Sequence, residues 1–295
     1  MKLCVIGGAG ARSAVLTKSL VKSTRDIRVD HIVLLDNDQQ KLKTYGEISR
    51  ELSRRLDPDL TFEVTSDARA ALTGVDYIIT TIRAGGDAGR LFDEQTCLAH
   101  GVLGQETTGA GGFAMAIRSV PTLVYYCTLA REVANPGHLI FNFTNPSGII
   151  TQALRSKGFD NVYGICDAPS GFIKQLEEIL EIPYGTLDIE CYGLNHLSWF
   201  RNAKVNGRDV QRELLDNPRT YEHSEMRLFT REMARISGDC MLNEYLYFYY
   251  RRVKSLSMIQ KAEHPRGEMI YLINRELEQQ LSQLELPRDF EQAFN

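Results

Sequence analysis

Gly7-Gly8-Ala9-Gly10-Ala11-Arg12-Ser13 lies between a short apolar run and an amphipathic helical pattern, where backbone N–H groups at a helix N-terminus can face a pyrophosphate. Gly8 and Gly10 match the first two glycines of a dinucleotide-binding turn, and Ser13 replaces the third. Asp36 closes the second apolar run, a little beyond the usual spacing of ~20 residues, where a carboxylate can accept hydrogen bonds from an adenine ribose. An acid there repels a 2′-phosphate, so the pairing points to NAD over NADP. The competing readings are an ordinary strand-to-helix turn and a helix cap supplied by Asp36-Asn37-Asp38. Dinucleotide binding is stronger than either, with Gly7, Gly8, Gly10, Arg12 and Asp36 as the candidate cofactor-binding residues.

These residues need a scaffold, and the first half of the chain supplies its pattern. Apolar runs at Leu3 to Ile6, His31 to Leu35, Thr61 to Thr65, Tyr77 to Ile82, Leu139 to Phe143 and Val162 to Ile165 read as strands. Helical patterns at Ala14 to Thr24, Gln39 to Leu56 and Ala116 to Val133 lie between them, as α/β crossovers require. The reading is a doubly wound parallel sheet over residues 1–168. From Asp188 the pattern becomes extended, Asp188 to Tyr192 and Leu197 to Val205, closed by the hairpin pair Asn206-Gly207. Met226 to Ile236, Leu242 to Arg252 and Gly267 to Leu284 then read as helices, giving an α+β domain over 169–295.

Composition narrows the function classes. The 295 residues hold 34 basic and 38 acidic side chains, a net charge of −4 with neither sign in a block, so the basic stripe of a nucleic-acid binder is missing. No apolar run is read as approaching the ~18 residues that span a bilayer. The opening Met1 to Ala11 reads as a strand and turn, not a leader, because Arg12 breaks the apolar run. Six cysteines without a CxxC spacing imply reduced thiols. A cytoplasmic location is therefore expected.

Six further motifs follow in order: Ile82-Arg83-Ala84-Gly85-Gly86; Arg90 with Asp93-Glu94; Gly104-Gln105-Glu106-Thr107-Thr108-Gly109; Asn142-Phe143-Thr144-Asn145-Pro146; Gly164-Ile165-Cys166-Asp167; and Gly193-Leu194-Asn195-His196. In this order they resemble glycoside hydrolase family 4, in particular its 6-phospho-β-glucosidase branch, from Lys2 to about Leu277. The resemblance implies a Rossmann-like first domain, and cleavage of glycosides with NAD and a divalent metal, usually manganese, by oxidation and elimination. Arg12 and Ser13-Ala14 depart from the family's usual turn, and the second domain is expected to be shorter than the family's.

The resemblance also implies roles. Cys166 and His196 are the expected metal ligands, a thiolate and an imidazole suiting a borderline divalent ion. Oxidation of the sugar at C3 acidifies the C2 proton, and Tyr245, in Asn243-Glu244-Tyr245-Leu246, is the expected base, made more acidic by the nearby cation. Asp167 is expected to contact the metal through water or to assist leaving-group protonation, the competing reading being a cap on the following helix. Arg90, Asn145 and Arg266 are expected to bind a phosphorylated glycoside, arginine being suited to phosphate. The polar, glycine-rich run Gly104 to Gly112 reads as an active-site loop, with Gln105 and Glu106 close to nicotinamide or metal. Two alternatives share the first domain: an NAD-dependent 2-hydroxy-acid dehydrogenase, and a truncated, non-catalytic protein that binds NAD and sugar phosphate. Homo-oligomerisation is expected, through Phe229, Met233 and the tyrosine-rich helix.

Overall fold

The computed structural model describes residues 1–285 and 288–294. Six strands form one parallel sheet: β1 (Lys2–Ile6), β2 (His31–Leu35), β3 (Thr61–Thr65), β4 (Tyr77–Thr80), β5 (Leu139–Asn142) and β6 (Val162–Gly164). Their order is β3-β2-β1-β4-β5-β6, the doubly wound dinucleotide-binding order, in which ligands lie at the carboxyl ends of the strands where the winding reverses. Here that point falls between β1 and β4. The inner strands are apolar along their length because both faces are covered. Cys4, Ile6, Val33, Ile78 and Ile140 pack in one cluster with Leu123, Cys127 and Ala130 of the helix Gly109–Val133. Leu3, Val5, Ile32 and Leu34 pack in another with Leu16, Leu20 and Val21 of the helix Ser13–Ile27.

All six expected strands are present. The single helix expected at Gln39 to Leu56 is a continuous path in three parts, Gln39–Lys41, a π-helical turn Leu42–Gly46 and Glu47–Leu56. Asp38 caps it, its side chain accepting from the N–H groups of Gln40 and Lys41. The helix expected from Ala116 begins earlier, at Gly109, so only Gly104 to Thr108 of the expected loop lies outside it. At 25 residues that helix is long and apolar enough to cross a membrane by length and composition alone, against the expectation that no run reaches that size. Its Leu123, Cys127 and Ala130 are nevertheless buried in the core, and Arg118 on it pairs with Asp93.

Contacts group the chain into two compact units. Met1–Thr96, Gly104–Ile165 and His264–Asn295 form the first; Cys97–Leu103 and Cys166–Glu263 form the second. The expected boundary after residue 168 is three residues beyond the observed one at Ile165, whereas the last stretch groups with the first unit. The reason is an apolar stripe: Leu277 and Leu281, on or beside the last turn of the helix Arg266–Leu281, cluster with Tyr45, Ile48 and Leu52.

The second unit is built on an antiparallel sheet of β7 (Leu187–Leu194), β8 (Leu197–Val205), β9 (Arg208–Asp209) and β10 (Met241–Leu242). Asn206 and Gly207 turn β8 into β9 with φ of 50° and 81°, the left-handed pair that a two-residue hairpin needs. Phe172, Leu176, Phe200, Leu214, Met226 and Leu246 are among its core residues. The helix expected at Met226 to Ile236 is two pieces, a 3-10 turn Glu225–Leu228 and the helix Arg231–Ile236, parted where Thr230 caps the second through Met233 N–H. Leu242 to Arg252 is not one helix either; Leu242 pairs in β10 and the helix is Leu246–Tyr250. Phe229 and Tyr247 are core residues and Met233 is half-buried against the same core, so of the apolar interface expected from Phe229, Met233 and the tyrosine-rich helix, Tyr249 and Tyr250 are the exposed part.

Candidate active site

In the first unit the glycine turn follows β1 directly. The N–H groups of Gly7 and Gly8 both donate to Leu35 O, at 2.8 and 3.0 Å, which ties the turn to the end of β2. Gly7 has φ +86°, and a Cβ there would lie 2.8 Å from Ile82 N, so no other residue fits. Gly10, by contrast, has nothing within 4 Å of where a Cβ would stand, which leaves open space over the turn. Its N–H donates to Ser13 Oγ at 2.7 Å, so the residue that replaces the third glycine closes the turn with its hydroxyl. The helix Ser13–Ile27 starts with no side-chain cap and no acid in its first turn, as an anion site at a helix N-terminus requires. Arg12, exposed, occupies the cap position.

Asp36 follows β2 directly, beside this turn. Its Oδ2 accepts from Ala9 N–H at 3.2 Å and its Oδ1 from Asp38 N–H at 3.1 Å. Burial raises its carboxyl above the usual range, the backbone N–H groups of Asp38 and Ala9 opposing that shift. Asp36 thus orients the glycine turn, and the capping is left to Asp38. The open space over Gly10, the uncapped helix and this carboxylate fit a dinucleotide.

Arg90 is neither solvated nor open: it is 8% exposed, donating to Glu94 at 2.8 Å and to Glu106 at 3.2 Å. Glu106 also accepts from Arg83 at 2.7 Å, and Arg83 pairs with Asp87. Arg83–Asp87 and Arg90–Glu94 are i,i+4 pairs, and sequence reading missed Glu106, which joins them once the Gly104–Thr108 turn folds back, with Gln105 N–H on Thr108 O at 3.1 Å. Asn145 is half-buried after β5, behind Asn142, whose amide holds Thr80, Thr144 and Thr151. Arg266 is exposed at the first residue of its helix.

The second unit brings together Cys166, His196 and Tyr245. Cys166 Sγ lies 3.5 Å from His196 Nε2 and accepts from Ala168 N–H at 3.5 Å, at the start of the helix Ala168–Leu180. His196 sits in the two-residue turn between β7 and β8, with φ 59°. Gly193, at φ +119°, permits that turn, because a Cβ would come within 2.3 Å of Leu197 O. His196 and Tyr245 stack with centroids 4.2 Å apart and planes 6° from parallel. Asp167 is exposed, 4.0 Å from Cys166 Sγ by Oδ1, and its side chain does not cap the helix.

The Cys166 to His196 separation fits a metal. At 3.5 Å the thiol and imidazole are close enough to share a proton or to hold one borderline divalent ion between them. Among the described residues no group of three or more His, Cys, Asp or Glu could hold a metal.

A doubly wound fold with an open phosphate turn defines the class of dinucleotide-binding proteins, and its second unit presents a thiol–imidazole pair beside a stacked phenol. The chain belongs to the family 4 glycosyl hydrolases: the family's model matches residues 2–182 and that of its C-terminal domain residues 191–294. The chain is similar to the 6-phospho-beta-glucosidase BglT of Thermotoga maritima, 30% identical over 98% of this chain and 69% of that one. It is 28% identical to a 6-phospho-beta-glucosidase of Escherichia coli, over 96% of this chain and 65% of the other. A solved structure of the Thermotoga enzyme with manganese, NAD+ and glucose-6-phosphate superposes with a TM-score of 0.86 over 99% of this chain and 71% of that one. A 6-phospho-alpha-glucosidase from gut microorganisms, solved with NAD and glucose-6-phosphate, is 25% identical, with a TM-score of 0.89 over 100% of this chain and 70% of that one. The chain thus spans about two thirds of the length of these relatives. Family membership sets aside the hydroxy-acid dehydrogenase reading.

Proposed function

We propose that this chain hydrolyses 6-phospho-β-glucosides with NAD and manganese. The observation that carries the reading is the cluster of Cys166, His196 and Tyr245. In it a soft thiol and an imidazole meet at metal-ligand spacing, with a phenol against the imidazole. The glycine turn and Asp36 would hold NAD, which when bound would supply the hydride acceptor for C3 of the sugar, and Cys166 and His196 would hold a metal that would supply Lewis-acid polarisation of the neighbouring oxygens.

This chain's residues do the rest. Residues 1–168 hold NAD, with Gly7, Gly8, Gly10 and Arg12 at the phosphates and Asp36 on the ribose. In 169–295, with Cys166 and Asp167 just before it, Tyr245 as its phenolate takes the C2 proton, Asp167 delivers a proton to the leaving group, and water adds at C1 of the unsaturated sugar as Tyr245 returns the proton to C2. Arg266 and Asn145 bind the phosphate and sugar hydroxyls. Arg90 joins them through the network that Glu94 and Glu106 hold in place. The β-anomer is favoured by the Thermotoga and Escherichia relatives. A cytoplasmic setting and self-association belong to the same proposal, the former supported by six free cysteines.

The test is release of p-nitrophenol from its 6-phospho-β-glucoside under reducing conditions, with and without NAD and manganese. Release that needs both, with no net NADH, is expected. No release with both present refutes the proposal, and release without them refutes the mechanism.

A further inference from the structure

Tyr245 stands at the start of a five-residue helix, Leu246–Tyr250, that has no side-chain cap. A helix this short does not hold itself in place, so its first residue must be fixed from outside. Asn243, 1% exposed, is the fixing point. Its Oδ1 accepts from Tyr245 N–H at 3.1 Å, its carbonyl from Leu246 N–H at 3.0 Å, and its own N–H donates to Ser198 O at 3.1 Å. Ser198 is two residues beyond His196, so Asn243 joins the strand that leaves the histidine to the residue that carries the phenol.

Asn243 is itself oriented by Glu225. One oxygen, Glu225 Oε2, accepts from Asn243 Nδ2 at 2.9 Å and from Glu244 N–H at 3.0 Å. Glu225 is 8% exposed, and its N–H is held by Gln175 Oε1 at 3.0 Å. A single buried carboxyl oxygen thereby orders the two residues that precede Tyr245. Core packing alone asks for an apolar side chain here, because a buried carboxyl carries a desolvation cost that its hydrogen bonds must offset.

We propose that Glu225 is a positioning residue which, through Asn243, sets the Tyr245 phenol against His196. The inference deepens the preceding section and rests on its reading of Tyr245 as the base. It requires an acceptor oxygen at position 225, not a charge: glutamine keeps that oxygen and alanine removes it.

The experiment compares Glu225→Ala, Glu225→Gln and Tyr245→Phe in 6-phospho-β-glucoside hydrolysis with NAD and manganese, together with the histidine ring resonances by NMR. In Glu225→Ala, kcat is expected to fall tenfold or more with KM within twofold, and the His196 ring signal, shifted by the stacked phenol, to move. Glu225→Gln is expected to restore both. A Glu225→Ala enzyme with kcat within twofold of the parent, or with an unmoved His196 signal, overturns the inference. Should Glu225→Ala fail to fold, Asn243→Ala removes the acceptor for Tyr245 N–H directly; the same kcat loss supports the inference, and parental kcat overturns it. Tyr245→Phe with parental turnover would sink the base reading instead, and the ring signal would then decide positioning by itself.

Discussion

His196 lies face to face with Tyr245, 4.2 Å between centroids, while its Nε2 edge meets Cys166 Sγ at 3.5 Å. The stack fixes the plane of the imidazole, and the plane fixes where its nitrogen points. Outer-shell partners of a ligating histidine are worth roughly 10–100-fold in metal affinity, so removing a ligand costs at least that. Cys166→Ala and His196→Ala are each expected to weaken manganese binding by tenfold or more while leaving NAD binding unchanged. Electron paramagnetic resonance of free manganese measures the first and calorimetry the second. Undiminished manganese binding in either variant would remove that residue from the ligand set.

Asp36 has two tasks, holding Ala9 N–H and presenting a carboxylate beside the turn. A hydrogen bond to a charged group contributes about 1.5–3 kcal/mol, so Asp36→Ala is expected to weaken NAD binding by roughly 10–100-fold. Discrimination against NADP is expected to shrink with it. Calorimetric titration with both dinucleotides checks this, and unchanged NAD affinity would confine Asp36 to supporting the turn.

Gly267 N–H donates to Glu94 Oε2 at 2.8 Å, and a Cβ on Gly267 would lie 2.4 Å from that oxygen. Gly267→Ala therefore displaces Glu94, which also holds Arg90. Overpacking of this kind costs about 1–3 kcal/mol. A lowered thermal unfolding midpoint is expected, with weaker substrate binding if Arg90 acts on the phosphate. An unchanged midpoint would mean that Glu94 has another place to go.

Glu225 gives a pH signature. Burial pushes its carboxyl from the ordinary 4.5 up to about 7, although the Glu244 backbone N–H, Arg227 and Asn243 pull it down; the Glu244 carboxylate adds to the rise. The Cys191 thiol also faces it. A raised native pKa means that its stabilising contribution is complete below about 4.5 and is lost as pH climbs through about 7. At 1.36 kcal/mol per pKa unit, the loss is about 3 kcal/mol at most. Urea unfolding at pH 5 and pH 8 is expected to show the parent losing stability relative to Glu225→Gln as pH rises. A constant difference between the two would place the native carboxyl near its ordinary value.

The six parallel strands were legible because strands covered on both faces need unbroken apolar runs, and such runs are local. The Asn206-Gly207 turn was legible for a similar reason, since few residue pairs accept two left-handed conformations. Periodicity failed where helix and core compete over short distances. Met226 to Ile236 has the right apolar spacing, yet Thr230 caps a new helix in its middle. Leu242 looked helical and pairs with Trp199 in a strand.

Of the site, the sequence by itself determined the residue types: a glycine turn before a helix, an acid at the end of the second strand, and the motifs that carry Cys166, His196 and Tyr245. It also determined the family, through their order. Only the tertiary structure decided that Cys166 meets His196, that His196 stacks on Tyr245, that Glu225 orders the residues before Tyr245, and that Arg90 is enclosed by Glu94 and Glu106. Sequence pattern records which face of an element is buried within a few residues. Which distant side chains share that buried space is settled only when hairpins and turns close, and the polar groups caught inside must then find one another.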